Sequence, residues 1–227
     1  MKPQRCHYSG FTLVELLVVI AIIAILAAVL SVSAGAAINA AKRAKAQNQA
    51  TQIQTAIVNY YTEYGVYPLT SAQSSANQDV LLGPTGGTGT SNTGEADLFL
   101  ALCGNINASA PSTPLPGNVP NTRNIAFLTP KKSDVDPNGV VVNPFSGTKG
   151  PYYYFSIAID ADYSGVLGDT GGVLTSMPDF INWKNNTSMQ PVTGGITQSS
   201  AVWSCCDPAN LANWGNSQLP SDWVHTY

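Results

Sequence analysis

Residues 11–32 read FTLVELLVVIAIIAILAAVLSV, and the whole fold turns on how this stretch is read. Only Thr12, Glu15 and Ser31 interrupt its apolar character, and Leu16 to Leu30 is unbroken. As a helix rising about 1.5 Å per residue, such a run spans about 33 Å, enough for a hydrocarbon core of about 30 Å. A cleaved secretory signal competes, because Lys2 and Arg5 precede the run. The apolar core of such a signal is about 7–15 residues long and closes at a small-residue cleavage site. Here the run is longer and passes into a helical pattern, so it reads as a retained anchor.

Glu15 is the exception that carries information. A carboxylate in an apolar helix costs about 2.5–3.5 kcal/mol at the bilayer centre and less near an end, so it ordinarily has a partner. Either it sits hydrated at the interface or a cation meets it. Cutting after Gly10 would create such a cation, the free amine of Phe11, four residues before Glu15. In a bundle of staggered subunits, the Phe11 amine of a neighbour could meet Glu15 and neutralise both charges.

The segment Gly10-Phe11-Thr12-Leu13-Val14-Glu15-Leu16 resembles the prepilin cleavage and methylation motif of type IV pilins and type II secretion pseudopilins. The likeness includes the short basic leader, glycine before the cut, phenylalanine after it, an acid fifth in the mature chain, and the long apolar run. It implies that a prepilin peptidase cuts between Gly10 and Phe11 and methylates the Phe11 amine, and that Glu15 guides filament assembly. It also implies a leader in the cytoplasm, a single pass of the inner membrane in contact with lipid, and a periplasmic body. The implied partners are other pilin or pseudopilin subunits and an inner-membrane assembly platform. Charge alone does not orient the span, because Lys42, Arg43 and Lys45 follow it as Lys2 and Arg5 precede it.

Outward from this segment, composition splits the chain into a greasy part and a polar, turn-rich part. Apolar residues make up 44% and charged residues only 10%, and 20 Gly with 15 Pro dictate much loop. The net charge of −3 becomes −5 once Lys2 and Arg5 are removed, with 8 basic residues against 13 acids. An acidic chain so poor in Lys and Arg is set aside as a nucleic-acid binder, since phosphate neutralisation dominates that affinity.

Residues 39–64 (NAAKRAKAQNQATQIQTAIVNYYTEY) contain no Gly or Pro and favour helix. Ile53, Ile57, Tyr60 and Tyr64 form one apolar stripe, and Gly65 and Pro68 stop the pattern. The run Tyr60 to Pro68 resembles the end of a pseudopilin helix. Residues 69–124 are rich in Gly, Ser, Thr, Asn and Pro and read as surface loops, with 83–94 close to a linker and 95–104 (EADLFLALCG) a short helix. Ile125–Leu128, Val140–Val142, Tyr152–Ile159 and Ala201–Ser204 read as strands of a small antiparallel sheet laid on the helix. The expected organisation is a leader over 1–10, a transmembrane or filament-core helix half over 11–38, an amphipathic helix half over 39–67, and a body over 68–227. The fold class is α+β, and this order of elements resembles the major pseudopilin.

Asp160-Ala161-Asp162-Tyr163-Ser164-Gly165 places oxygen ligands at alternate positions before a glycine, like the start of an EF-hand loop. The twelfth position is Gly171, so Asp169 would have to close the site; the alternative is a hairpin turn capped by Asp and Gly. Major pseudopilins end in a calcium loop, and residues 203–207 (WSCCD) and 222–227 (DWVHTY) resemble degenerate versions of it. By that resemblance Asp207 and Asp222 inherit calcium-ligand roles, with Cys206 at the motif's glycine and Trp223 at one of its acids. Cys103, Cys205 and Cys206 remain beyond the leader's Cys6; Cys103 bridges to one of the pair, or the thiols are free and buried. With two His and no GxSxG, HExxH or phosphate-binding glycine loop, the chain reads as a structural subunit and not an enzyme. Three readings stay open: a type II secretion pseudopilus subunit, a type IV pilus subunit for adhesion, motility or DNA uptake, and a membrane-tethered glycan- or protein-binding module.

Overall fold

A computed structural model describes residues 11–84, 94–104, 121–147, 149, 152–168, 195–206 and 223–226, without the side chains of 29–34 and 205. Its first element, α1, is the long helix expected, Leu13–Tyr64. Contacts divide the chain into two units, Met1–Ala41 and Lys42–Tyr227. In the first, every described side chain from Phe11 to Ala28 is exposed, so this apolar surface has no cover among the described residues.

In the second unit α1 is amphipathic. Ala46, Gln49, Ala50, Ile53, Ala56, Ile57 and Tyr60 are buried, a spacing of three and four that draws one stripe down the helix. The expected stripe is therefore correct but too narrow: the alanines belong to it, and they let neighbouring backbone approach closely. Gly65 ends the helix at φ +69°, its N–H closing on the Tyr61 carbonyl at 2.7 Å.

After α1 come a single-turn helix α2 (Ser71–Ser74), strand β1 (Val80–Leu82), helix α3 (Glu95–Cys103), a 3₁₀ turn (Lys132–Asp134), and strands β2 (Ser156–Ile159), β3 (Ser200–Cys205) and β4 (Trp223–His225). The strands make one antiparallel sheet in the order β1-β2-β3-β4, with Val80 opposite Ile159, Ala158 opposite Ala201, and Trp203 opposite His225. The α1 stripe shares one core with Leu82, Phe99, Phe155, Ile157, Val202 and Val224, and Gln54 Nε2 bonds the Ser200 carbonyl at 2.7 Å. The class is α+β, a long helix with a small antiparallel sheet, as in pilin-like folds.

Three expectations are corrected. Ile125–Leu128 is not a strand: the N–H groups of Phe127 and Leu128 both bond the Leu102 carbonyl, at 2.8 and 3.0 Å. The end of α3 recruits them because its last carbonyls lack helical partners. Val140–Val142 joins no ladder; it makes isolated bridges, Val141 to Val135 and Val142 to Tyr154. Residues 69–124 are not loop throughout, since β1 lies among them and forms an edge of the sheet.

Candidate functional site

The first turn of α1 is built by Thr12 and Glu15. Thr12 is the cap: its carbonyl accepts from Leu16 N–H at 3.3 Å, and its Oγ1 accepts from Glu15 N–H at 3.3 Å. Glu15 Oε2 answers by accepting from Thr12 N–H at 2.8 Å and from Thr12 Oγ1 at 2.7 Å. This is a capping box, in which Ser/Thr and a Glu three residues later satisfy each other's helix-end groups. The pattern Thr-x-x-Glu before an apolar run, the signal of such a box, stands in the sequence at residues 12–15.

The box uses one carboxylate oxygen. Among the described residues Oε1 of Glu15 accepts no hydrogen bond, and Glu15 pairs with no cation. Its charge is favoured at a helix N-terminus, but half of its hydrogen-bonding capacity stays open to an ammonium group from outside. Phe11, whose backbone nitrogen a cut would free, is 75% exposed just ahead of the helix. Gly10 and the leader lie outside the described residues. Among those residues no helix is long and apolar enough to cross a membrane. The described side chains of the run stop at Ala28, while the sequence stays apolar to Leu30.

The second candidate gains a member that sequence reading missed. Asp79, just before β1, joins Asp160 and Asp162, with one carboxylate oxygen of each within 4.8 Å of the others. No pattern in the chain links residue 79 to residue 160; pairing of β1 with β2 brings them together. The carboxylates are bound to backbone: Asp160 accepts from Ser164 and Gly165 N–H at 3.0 and 2.9 Å, Asp162 from Ser164 N–H at 3.0 Å, and Asp79 from Gly168 N–H. Burial holds the Asp160 carboxyl above its ordinary 3.8; Asp162 adds to this, and the Gly165 and Ser164 N–H groups oppose it. The three could hold a divalent cation, but the loop's own N–H groups already serve it as a capped turn. Tyr163 at its apex adopts φ +60°. The other calcium candidates, Asp169, Asp207 and Asp222, lie outside the described residues.

Cys103 is free, both it and Cys206 are buried, and Cys206 Sγ accepts from Asn143 Nδ2 at 3.7 Å. A bridge between these two is therefore not formed. Cys205 lies in β3, with its side chain outside the described residues. Burial pushes the Cys103 thiol up to about 11, away from thiolate chemistry.

Residues 5–31 match the family model described as the prokaryotic N-terminal methylation motif. The matched stretch takes in Gly10, Phe11 and the capping box and stops well short of the body. No curated protein and no solved structure matches the chain. The head of α1 thus carries a prepilin-type, type IV pilin-like signal.

Proposed function

We propose that the chain is a filament subunit anchored in the inner membrane, cut between Gly10 and Phe11, methylated on the Phe11 amine, and polymerised through the exposed front of α1. The observation that carries this reading is the methylation motif over residues 5–31, with the half-engaged carboxylate of Glu15 at its centre. A membrane or a bundle of like helices would cover the apolar surface that the single chain leaves bare. In the bundle, the amine of one subunit would meet Glu15 of the next. Within this class we assign the chain to a type II secretion pseudopilus, on the resemblance of Tyr60 to Pro68 and of the body's order of elements to the major pseudopilin. The filament then pushes exported proteins outward from an assembly platform, and the chain itself performs no catalysis.

The test is assembly in cells of the unaltered chain against Glu15→Ala. Loss of sedimentable filaments with normal membrane levels supports the reading; unimpaired filaments would remove Glu15 from assembly, and a binding activity with no filament from either chain would favour a tethered binding module. Gene neighbours for a secretion channel or for twitching motility separate pseudopilus from pilus.

A further inference from the structure

The body carries a groove beside α1 whose floor holds an unanswered acceptor. The groove, of about 290 Å³, runs between Lys45–Ile53 of α1 and the extended segment Leu128–Lys131. Ile53, Leu128 and Val141 supply apolar lining, and Gln49 is 9% exposed among them. Its Nε2 donates to Asp134 at 3.4 Å, while its Oε1 is buried with no hydrogen-bond partner among the described residues. A buried acceptor left unpaired costs about 1–3 kcal/mol, so this one calls for a donor. Cofactor pockets run to about 300–1,000 Å³, and this groove lies just below that range, suited to one aromatic side chain and its flanking backbone. Lys45 bonds Asp134 at 2.7 Å; Lys131 stands exposed at the rim, and Lys132 lines the adjoining hollow that shares Lys45 and Asp134. The rim is thus net positive.

The same body carries a projection of complementary chemistry. Tyr163 tips the loop of Asp160 and Asp162, beside Asp79, and is 53% exposed. One side of its ring lies against Tyr67, at 5.4 Å and 20° between planes. Its hydroxyl makes no hydrogen bond among the described residues. A tyrosine at φ +60° is strained by about 1–3 kcal/mol, and such strain is retained where a side chain must be presented.

We propose that the Tyr163 loop of one copy seats in the α1 groove of the next, its hydroxyl donating to Gln49 Oε1 and Asp162, the half-buried acid at its base, facing Lys131 and Lys132. The two surfaces are different patches of one body, so their union is heterologous and propagates, as a filament requires. This rests on the filament reading above and adds to it a contact between bodies.

The test uses the full chain in its own membranes, with p-benzoylphenylalanine in place of Tyr163. Irradiation is expected to give a ladder of adducts mapping to peptides around 45–53 or 127–131 of another copy. Lys131→Glu is expected to cut adduct yield about fivefold, attraction being replaced by repulsion. In the unlabelled chain, Tyr163→Phe keeps the ring and the turn and is expected to lower sedimentable assembly about threefold, the worth of one neutral hydrogen bond. Gln49→Leu also removes the bond to Asp134, so it is compared at equal folded fraction; there, combined with Tyr163→Phe, it is expected to add no further loss, since both remove the same intersubunit bond. Adducts elsewhere, a dimer with nothing larger, or additive losses overturn the proposal; if filaments form in that case, the filament reading stands. Failure of the unaltered chain to assemble overturns both.

Discussion

Thr12 and Glu15 satisfy each other across the first turn of α1, yet their hydrogen bonds occupy only one oxygen of the Glu15 carboxylate. Two roles therefore meet in one side chain: starting a helix, and offering a charge to something outside it. The first needs an acceptor and the second needs an anion.

That difference can be measured. Glu15→Gln keeps the capping box, because glutamine serves there as well as glutamate, and removes the charge. It is expected to lower filament yield more than about tenfold, since losing one partner of a desolvated ion pair costs about 3–5 kcal/mol. Thr12→Ala removes the cap at about 1 kcal/mol and is expected to cost assembly far less. Little or no loss in Glu15→Gln, with a loss in Thr12→Ala, in sedimentation assays would mean that Glu15 acts only as a cap.

Glu95, the first residue of α3, is fully buried, and among the described residues neither carboxylate oxygen has a hydrogen-bond partner. Burial, and then the nearby Asp136 carboxylate, hold its pKa well above the ordinary 4.5. The folded chain keeps a proton that the unfolded chain releases. The stabilisation is therefore complete below about pH 4.5 and is lost as pH climbs toward and through the raised folded value. Denaturant midpoints of the full chain in detergent are expected to fall between about pH 5 and pH 8. Glu95→Gln should remove that component of the slope, and Glu95→Met should be more stable near neutrality by about 1–3 kcal/mol. An identical slope in Glu95→Gln would contradict this.

Gly83 leaves β1 at φ +86°, and a Cβ there would collide with the Phe155 carbonyl oxygen and lie 3.1 Å from the Glu95 carboxyl carbon. The nearer contact is the backbone carbonyl of Phe155, just ahead of β2, which no side-chain rotation can relieve. Gly83→Ala is expected to destabilise the body by about 2–4 kcal/mol, read as a lower denaturant midpoint. A change within about 0.5 kcal/mol would show that the β1 edge is looser than the packing implies.

On α1, adjacent residues separate core from surface. Ile57 is fully buried and Val58 is exposed. Ile57→Ala is expected to cost about 2–5 kcal/mol and Val58→Ala less than about 0.5 kcal/mol in the same denaturation assay. Comparable losses would place the stripe on the wrong face.

How far the fold could be read followed from the range of each signal. The helix was legible because its pattern repeats over many turns: the stripe through Ile53, Ile57 and Tyr60 needs no knowledge of distant residues. Helix α3 was legible from its apolar run and following glycine. Strands β1 and β4 were not, being three residues each, with no alternation to count and their partners far along the chain. Ile125–Leu128 has strand-like composition, but its N–H groups were claimed by the end of α3, which composition cannot express. The same holds at the sites. Phe11 and Glu15 stood out in one short motif, whereas Asp79 reaches Asp160 only through sheet pairing, and the unpaired acceptor of Gln49 is visible only once α1 is packed.

The most direct measurement is mass spectrometry of the N-terminal peptide of the chain isolated from membranes. A peptide beginning at Phe11 with one added methyl group on its amine is the expected result. A peptide that retains Met1, or begins at any other residue, would contradict the account, because Glu15 would then lack the terminal ammonium that filament packing supplies.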